Sequence, residues 1–496
     1  MTMTNIINML PLLTALEKTN CYPHPVGKCQ IIETSLSWVI LAGKYAYKIK
    51  KPLDLGYADF STLEKRKYYC ALEITLNKRL APQLYLGIVP ITGTMSHPKV
   101  GGVGEAIEYA IQMQAFEQDA LLRNFIKANP LTQRTMQQLA QEISEFHRKA
   151  EVTPSTTPYG SPQNIWGPMQ DNIDTLRKLS VSNIYQDTLD QLESWSHQAY
   201  LDHERCLQLR KSTGFIRACH GDLHLGNIVL LNKKPTLFDG IEFNENFRWI
   251  DTISDIGFLA MDLEHHDLAP MASYLLDQYC AQTNDYAGIA LLNFYKCYRA
   301  LVRAKVAALQ ITQHPDKNAY LEKDLGALIA LAHTYTQTRQ PTLTLTHGVS
   351  GSGKSVYTET LLMKTGAIRL RSDAIRKHLF QGARYSKKTT EAVYSTLYTL
   401  AEVLLAAGHS VIIDATFLTQ AQRAPFFQLA EKQGTPITLL SFDAPTEILI
   451  ERIRERLVRK KDISEADETV LIKQLALKEP LTEQELAVTQ AINTEN

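Results

Sequence analysis

Long apolar runs are missing from this chain of 496 residues, none approaching the roughly 18 residues a bilayer-spanning helix takes, and this argues against a membrane protein. An excess of one charge is missing too. Lysine plus arginine and aspartate plus glutamate both number 52, so composition offers no broad face for a polyanion and leaves nucleic acid an open partner that charge does not indicate. Cysteine is scarce and odd in number: seven residues from Cys21 to Cys297, which excludes a disulfide framework. Cys21, His24 and Cys29 sit close in sequence but have no fourth ligand at zinc-ribbon spacing. Met1 to Leu10 lacks the charged-then-apolar order of a signal peptide, so the expected location is cytoplasmic. Repeats and low-complexity tracts are absent. What is present is a 45% hydrophobic content and enough length for two or three separately packed domains.

Residues 33–50 alternate apolar and polar types among β-formers and read as a hairpin. Helical periodicity follows near 61–81, 131–150 and 171–200, interrupted by the Pro- and Ser-containing stretch Thr153 to Pro168. A β-rich patch from Ile228 to Phe243 precedes a long helical region, about Ile253 to Gln337. At Thr338-Arg339-Gln340-Pro341 the pattern stops, and a new strand, Thr342 to His347, opens into a glycine loop. The expected domains are therefore 1–340 and 341–496. Beyond the boundary, strands at 367–370, 411–414 and 437–442 alternate with helices at 391–407 and 421–433, the order of a parallel sheet covered by helices.

Gly348-Val349-Ser350-Gly351-Ser352-Gly353-Lys354-Ser355 has the P-loop pattern, and it stands between a predicted strand and a predicted helix. Gly348, Gly351 and Gly353 let backbone N–H groups turn toward phosphate oxygens, Lys354 would reach the β/γ phosphates, and Ser355 offers a hydroxyl to magnesium. The apolar strand Val411-Ile412-Ile413-Asp414 ends in a carboxylate suited to the magnesium side, with a plain strand-end or capping role as the alternative. Asp373 follows another short strand and could accept a proton from a hydroxyl, and Arg376 lies one helical turn on. Arg452, Arg456 and Arg459 recur at helical spacing, a face that would suit a triphosphate or, paired with Glu455, plain solvent.

Gly348 to Ser355, Arg371 to Arg376, Asp414-Ala415-Thr416 and the arginine helix together resemble the P-loop kinases of the polynucleotide-kinase and zeta-toxin type over about residues 341–479. That resemblance implies that Asp373 is the general base, that Arg376 contacts the acceptor, and that Arg452 or Arg456 holds the phosphates. It does not carry over the identity of the acceptor.

His220-Gly221-Asp222-Leu223-His224-Leu225-Gly226-Asn227 has the spacing of a kinase catalytic loop, in which Asp222 would orient or deprotonate a hydroxyl and Asn227 would bind magnesium. Asp239, in Leu237-Phe238-Asp239-Gly240, would be the second metal ligand. Upstream, Lys48 occupies the phosphate-binding position of the second hairpin strand, with Lys50 on the same face as its competitor. Glu73 is the expected ion-pair partner and Glu64 the second choice. Asp251 and Asp255 are candidates either to support the loop or to cap a helix.

The region 25–335 resembles the aminoglycoside-phosphotransferase and choline-kinase-like family through the His220 to Asn227 loop and Asp239. This implies a two-lobed fold with ATP between lobes, although the triple-glycine loop of protein kinases is missing and Glu33 to Ser37 offers only small hydroxyl residues instead. The order of the two units is similar to a bacterial group of fused proteins usually labelled only as ATPases. The expectation is thus an α+β kinase-like domain followed by an α/β P-loop domain, using ATP and Mg2+ to phosphorylate hydroxyl acceptors at one site per domain. The rival expectations are an ATP-gated regulator and a single-site P-loop kinase whose front domain selects its substrate.

Overall fold

A computed structural model describes residues 2–313, 318–337, 339–380, 386–459 and 466–494. Contacts divide the chain into two compact units. The first comprises Met1–Leu131, Glu145–Gly167 and Glu204–Leu259, and the second Thr132–Ser144, Pro168–His203 and Ala260–Asn496.

In the first unit, strands β1 (Cys29–Glu33), β2 (Ser37–Ala42), β3 (Tyr45–Lys50), β4 (Tyr85–Thr94), β5 (His97–Val100) and β6 (Ala106–Gln114) form one antiparallel sheet in the order β1-β2-β3-β6-β4-β5. The period-two alternation of β2 explains how it is covered on both sides. Trp38, Ile40 and Ala42 pack with Met9, Leu12 and Leu16 of the helix Thr2–Leu16. Val39 and Leu41, on the other face, pack near Cys70 of the helix Leu63–Asn77. Full burial of a side chain such as Ile40 contributes about 1.5–3 kcal/mol, so the two clusters fix the register of β2.

The remainder of this unit is built from short ribbons. β7 (Ile216–Ala218) pairs antiparallel with β10 (Trp249–Asp251), and β8 (Ile228–Leu231) with β9 (Lys234–Leu237). The β8–β9 turn uses Asn232 and Lys233 at φ 51 and 64, the left-handed pair a tight two-residue hairpin needs. The octapeptide beginning at His220 lies between β7 and β8, and Asp239 follows β9.

The second unit contains β11 (Leu343–His347), β12 (Ile368–Arg371), β13 (Val411–Asp414), β14 (Ile437–Asp443) and β15 (Thr489–Asn493). They form an all-parallel sheet in the order β12-β13-β11-β14-β15, with β13 buried along its whole length. The front of the chain is therefore α+β and the rear α/β, as expected. The compact units do not follow the 340/341 division, however. The helices Ala269–Thr283, Leu292–Gln313 and Asn318–Thr334 belong to the same unit as the parallel sheet, the last two packing on each other and the first on the helix Lys354–Thr365. Among the described residues, no helix is long and apolar enough to cross a membrane, and all seven thiols are free.

Candidate functional site

Lys48 and Lys50, two residues apart on β3, face the same way, toward the helix Leu63–Asn77. Glu73 on that helix takes both lysines: Oε1 accepts from Lys48 Nζ at 2.8 Å and Oε2 from Lys50 Nζ at 2.6 Å. Glu64 is exposed at the start of the helix. The second partner distinguishes the two lysines. Lys48 Nζ donates to the Asp239 carboxylate, whereas Lys50 Nζ donates to Glu242 Oε1 at 2.5 Å. Burial works against the charge of Lys48, but Asp239 and Glu73 push its ammonium well above the ordinary value. For Glu73 burial raises the carboxyl, and the two lysines outweigh it and bring it to about 2. Asp239 itself sits at φ 62, a left-handed conformation that costs a residue other than glycine about 1–3 kcal/mol. Asp239 N donates to Tyr85 Oη at 3.0 Å, and Gly240 N to Asn77 Oδ1 at 2.7 Å, which hold it there.

Glu242 was not foreseen. Burial pushes its carboxyl up, with Lys50 the main opposing influence. Lys50→Met would leave Glu242 buried without a counter-charge, so the expected result is a loss of about 3–5 kcal/mol in the stability of this unit. Denaturant unfolding of the full chain would read it, and an unchanged midpoint would show that the pair contributes nothing.

Asp255, buried on the helix Thr252–His265, organises the loop that begins at His220. Its Oδ2 accepts from His220 N at 3.0 Å and its Oδ1 from Gly221 N at 2.9 Å, and His147 Nε2 lies 3.0 Å from Oδ2. Asp251 instead pairs with Arg210 and caps Ile253 N at 2.8 Å. His220 Nε2 lies 2.9 Å from Phe238 O, tying the loop to the residue before Asp239. Asn227 Nδ2 donates to Asp222 Oδ2 at 2.9 Å, and His224 Nε2 lies 3.3 Å from the same oxygen. Asn227 thus spends its nitrogen on Asp222, which makes its amide oxygen the atom suited to a hard cation. In the same unit, the segment after β6, including Phe116, lines a cavity of about 570 Å3 together with Leu84 and Leu231. Sequence reasoning missed it because its walls, which also include Gln83, Glu117 and Thr236, carry no motif.

In the second unit the P-loop follows β11 and leads into the helix Lys354–Thr365. Gly348 and Gly351 have φ 145 and 84, and a Cβ there would lie 2.6 Å from Phe442 O and 2.9 Å from Leu449 O. No other residue fits either place. Lys354 is buried with Nζ donating to Val349 O at 2.7 Å, and burial pushes its ammonium down to about 8.

One cavity of about 790 Å3 gathers the rear candidates: Gly351, Gly353, Lys354, Ser355, Asp373, Arg376, Asp414, Arg452 and Arg456. Asp414 stands at the carboxyl end of β13 with its Oδ2 buried and without a hydrogen-bond partner, 3.6 Å from Arg371 Nε. A buried carboxylate oxygen of this kind, in the cavity that Ser355 also lines, suits Mg2+, which takes hard oxygen ligands. Asp373 Oδ1 accepts from Arg376 Nη1 at 2.6 Å. Arg456 Nη2 donates to Ala466 O at 2.6 Å, and Arg452 donates to the carbonyl and hydroxyl of Thr494. The Arg459 side chain lies outside the described residues. Thr494, just past β15, also donates to Ser352 O at 3.1 Å. No signal for it was read in the sequence, because Thr489 to Asn493 shows no apolar alternation strong enough to mark a strand.

Fold and motifs together define a fused protein, a kinase-like region followed by a P-loop kinase-type domain. Residues 343–481 match the family model described as an AAA domain. An uncharacterized protein of Mycobacterium tuberculosis H37Rv is 30% identical over 451 residues, which cover 88% of each chain, and a Mycobacterium bovis protein matches equally. The chain belongs to the family of these mycobacterial proteins. Among solved structures, a choline/ethanolamine kinase family protein from Mesorhizobium loti is 13% identical, covering 62% of this chain and 92% of its own, with a TM-score of 0.38. A gluconokinase from Sinorhizobium meliloti 1021 is 20% identical over 32% of this chain and 85% of its own, with a TM-score of 0.26.

Proposed function

We propose that the chain is a cytoplasmic bifunctional kinase that transfers the γ-phosphoryl group of ATP to hydroxyl acceptors at two sites, one in each compact unit. The observation that carries this reading is the duplication of a full set of groups. Lys48, Asp239, Asn227 and Asp222 converge in the first unit, and Lys354, Ser355, Asp414 and Asp373 converge in the second. In sequence the motif residues of the first site all lie within 1–340 and those of the second within 341–496.

At each site the acceptor oxygen would form a bond to the γ-phosphorus as the bond to the β-bridging oxygen breaks, and the hydroxyl proton would pass to Asp222 or Asp373. Lys48 and Lys354 would neutralise charge on the phosphate oxygens in positions set before the reaction begins. Mg2+, when bound, would supply positive charge to offset that of the phosphates. Asn227 and Asp239 would hold it at the first site, Ser355 and Asp414 at the second. Arg452 and Arg456 would close on the nucleotide, and Arg376 would hold both Asp373 and the acceptor. The cavity after β6, with Leu84, Phe116 and Leu231 beside polar residues such as Gln114 and Thr236, would take the nucleobase.

The test is transfer of labelled γ-phosphate from ATP into fractionated cell extract, followed by identification of the products. Asp222→Ala should remove one set of labelled products and Lys354→Ala the other. The reading fails if the double variant labels acceptors and consumes ATP as fast as the wild type.

A further inference from the structure

Arg369 on β12 belongs to neither set of site residues, yet it is among the largest side chains fully withdrawn from water. A buried guanidinium is costly unless its N–H groups are answered. Arg369 Nε and Nη2 donate to the two carboxylate oxygens of Asp277 at 2.9 and 2.7 Å, a bidentate fork. Its remaining nitrogen, Nη1, donates to Ser355 O at 2.8 Å and Thr358 Oγ1 at 3.3 Å. Arg369 therefore grips the first turn of the P-loop helix by the backbone of Ser355, a residue that lines the cavity. Burial alone would depress its charge, and Asp277 more than offsets this.

Asp277 comes from the helix Ala269–Thr283, well upstream of the P-loop segment but in the same compact unit. The same helix makes a second attachment. His378 Nε2 lies 3.0 Å from Ala281 O, and His378 is on the helix Ser372–Leu379 that carries Asp373 and Arg376. One upstream helix is thus fastened to the metal side of the cavity through Arg369 and to the acceptor side through His378.

We propose that Asp277 is a positioning residue of the P-loop site, aiming Arg369 at the Ser355 carbonyl so that the Ser355 hydroxyl is held ready for Mg2+. This rests on reading the P-loop cavity as a phosphotransfer site. The helix Ala269–Thr283 then belongs functionally to the rear site although it precedes that site in sequence. Its role is exerted on metal affinity, because the atom it restrains is next to a metal ligand and not next to the acceptor base.

The experiment uses the full chain carrying Asp222→Ala, so that turnover reports the P-loop site alone. Adding Asp277→Asn should raise the Mg2+ concentration for half-maximal ATP turnover by about 10-fold or more, the usual cost of losing an outer partner of a metal ligand. Nucleotide binding measured in EDTA should change less than about 2-fold, since no phosphate contact is removed. Asp277→Glu, which keeps the charge, should recover part of the loss. Because Asp277→Asn strands a buried cation, a second variant separates positioning from folding. Arg369→Met with Asp277→Leu replaces the pair by apolar side chains of similar size and removes the grip on Ser355. Its Mg2+ requirement should stay raised at wild-type thermal stability. A wild-type Mg2+ requirement in that stable double variant would overturn the proposal. If the Asp222→Ala parent shows no Mg2+-dependent turnover, the phosphotransfer reading of the P-loop itself falls, and the proposal with it.

Discussion

Asp222→Asn should slow phosphotransfer at the first site by about 10²–10⁴-fold while leaving the KM for ATP within about 2-fold. Asparagine keeps the shape and can still accept the Asn227 Nδ2 hydrogen bond now made at 2.9 Å, so the loop should hold its form. What it loses is the capacity to take up a proton. The loop is held from behind by Asp255, which accepts from His220 N and Gly221 N, so the change at Asp222 is not expected to spread. The assay belongs in the Lys354→Met background, with the labelled acceptor fraction as substrate. A variant that transfers label at the wild-type rate would remove Asp222 from the chemistry.

Asp239→Asn makes the informative contrast. Asp239 is bonded to Lys48 and held at a strained φ by Tyr85 and Asn77. If it holds the nucleotide's metal as proposed, its loss should appear in the Mg2+ dependence first. The partners of the two acids differ: Asp222 is hydrogen-bonded to an amide, Asp239 to an ammonium.

How far these sites could be read from sequence depended on whether chemistry and spacing coincide. The P-loop glycines, Lys354, Asp414 and the loop from His220 to Asn227 follow motifs whose residue types suit phosphate and metal, and their close spacing in sequence made them legible. Glu73 was legible because one helix follows one hairpin, and the structure seats it between Lys48 and Lys50. Glu242 was not, because its partner is a lysine far away in sequence and only packing joins them.

The fold was legible to the same extent. Strand β4 escaped notice because Gly87, Pro90 and Gly93 interrupt its pattern, and they are tolerated there by register shifts in the pairing with β6 and by the close approach of β5. The compact units could not be foreseen from the 340/341 break. A linker-like segment marks where one motif series ends, but which helices share a core is settled by long-range burial, as with Asp277 and Arg369.

Lys354→Met should lower turnover at the P-loop site by about 10²–10³-fold, the scale for removing one preorganised charge from developing phosphate oxygens. The pH dependence of binding supplies a sharper signature. Burial pushes the Lys354 ammonium down to about 8 in the nucleotide-free chain, and a polyphosphate beside it would raise it again. Below pH 8 the lysine is charged before and after binding, so no proton is exchanged. Above it, the wild type must take up a proton as nucleotide binds, and affinity should weaken as pH rises, approaching about tenfold per unit. Lys354→Met should abolish both the uptake and that slope. Titration calorimetry at about pH 9 in two buffers of different ionisation enthalpy measures the proton directly, and comparing wild type with variant isolates this site from Lys48. Lys48 is held well above the ordinary lysine value by Asp239 and Glu73, so it stays charged across the same range and contributes no such slope. Equal proton uptake in wild type and variant would show that Lys354 does not meet the phosphates.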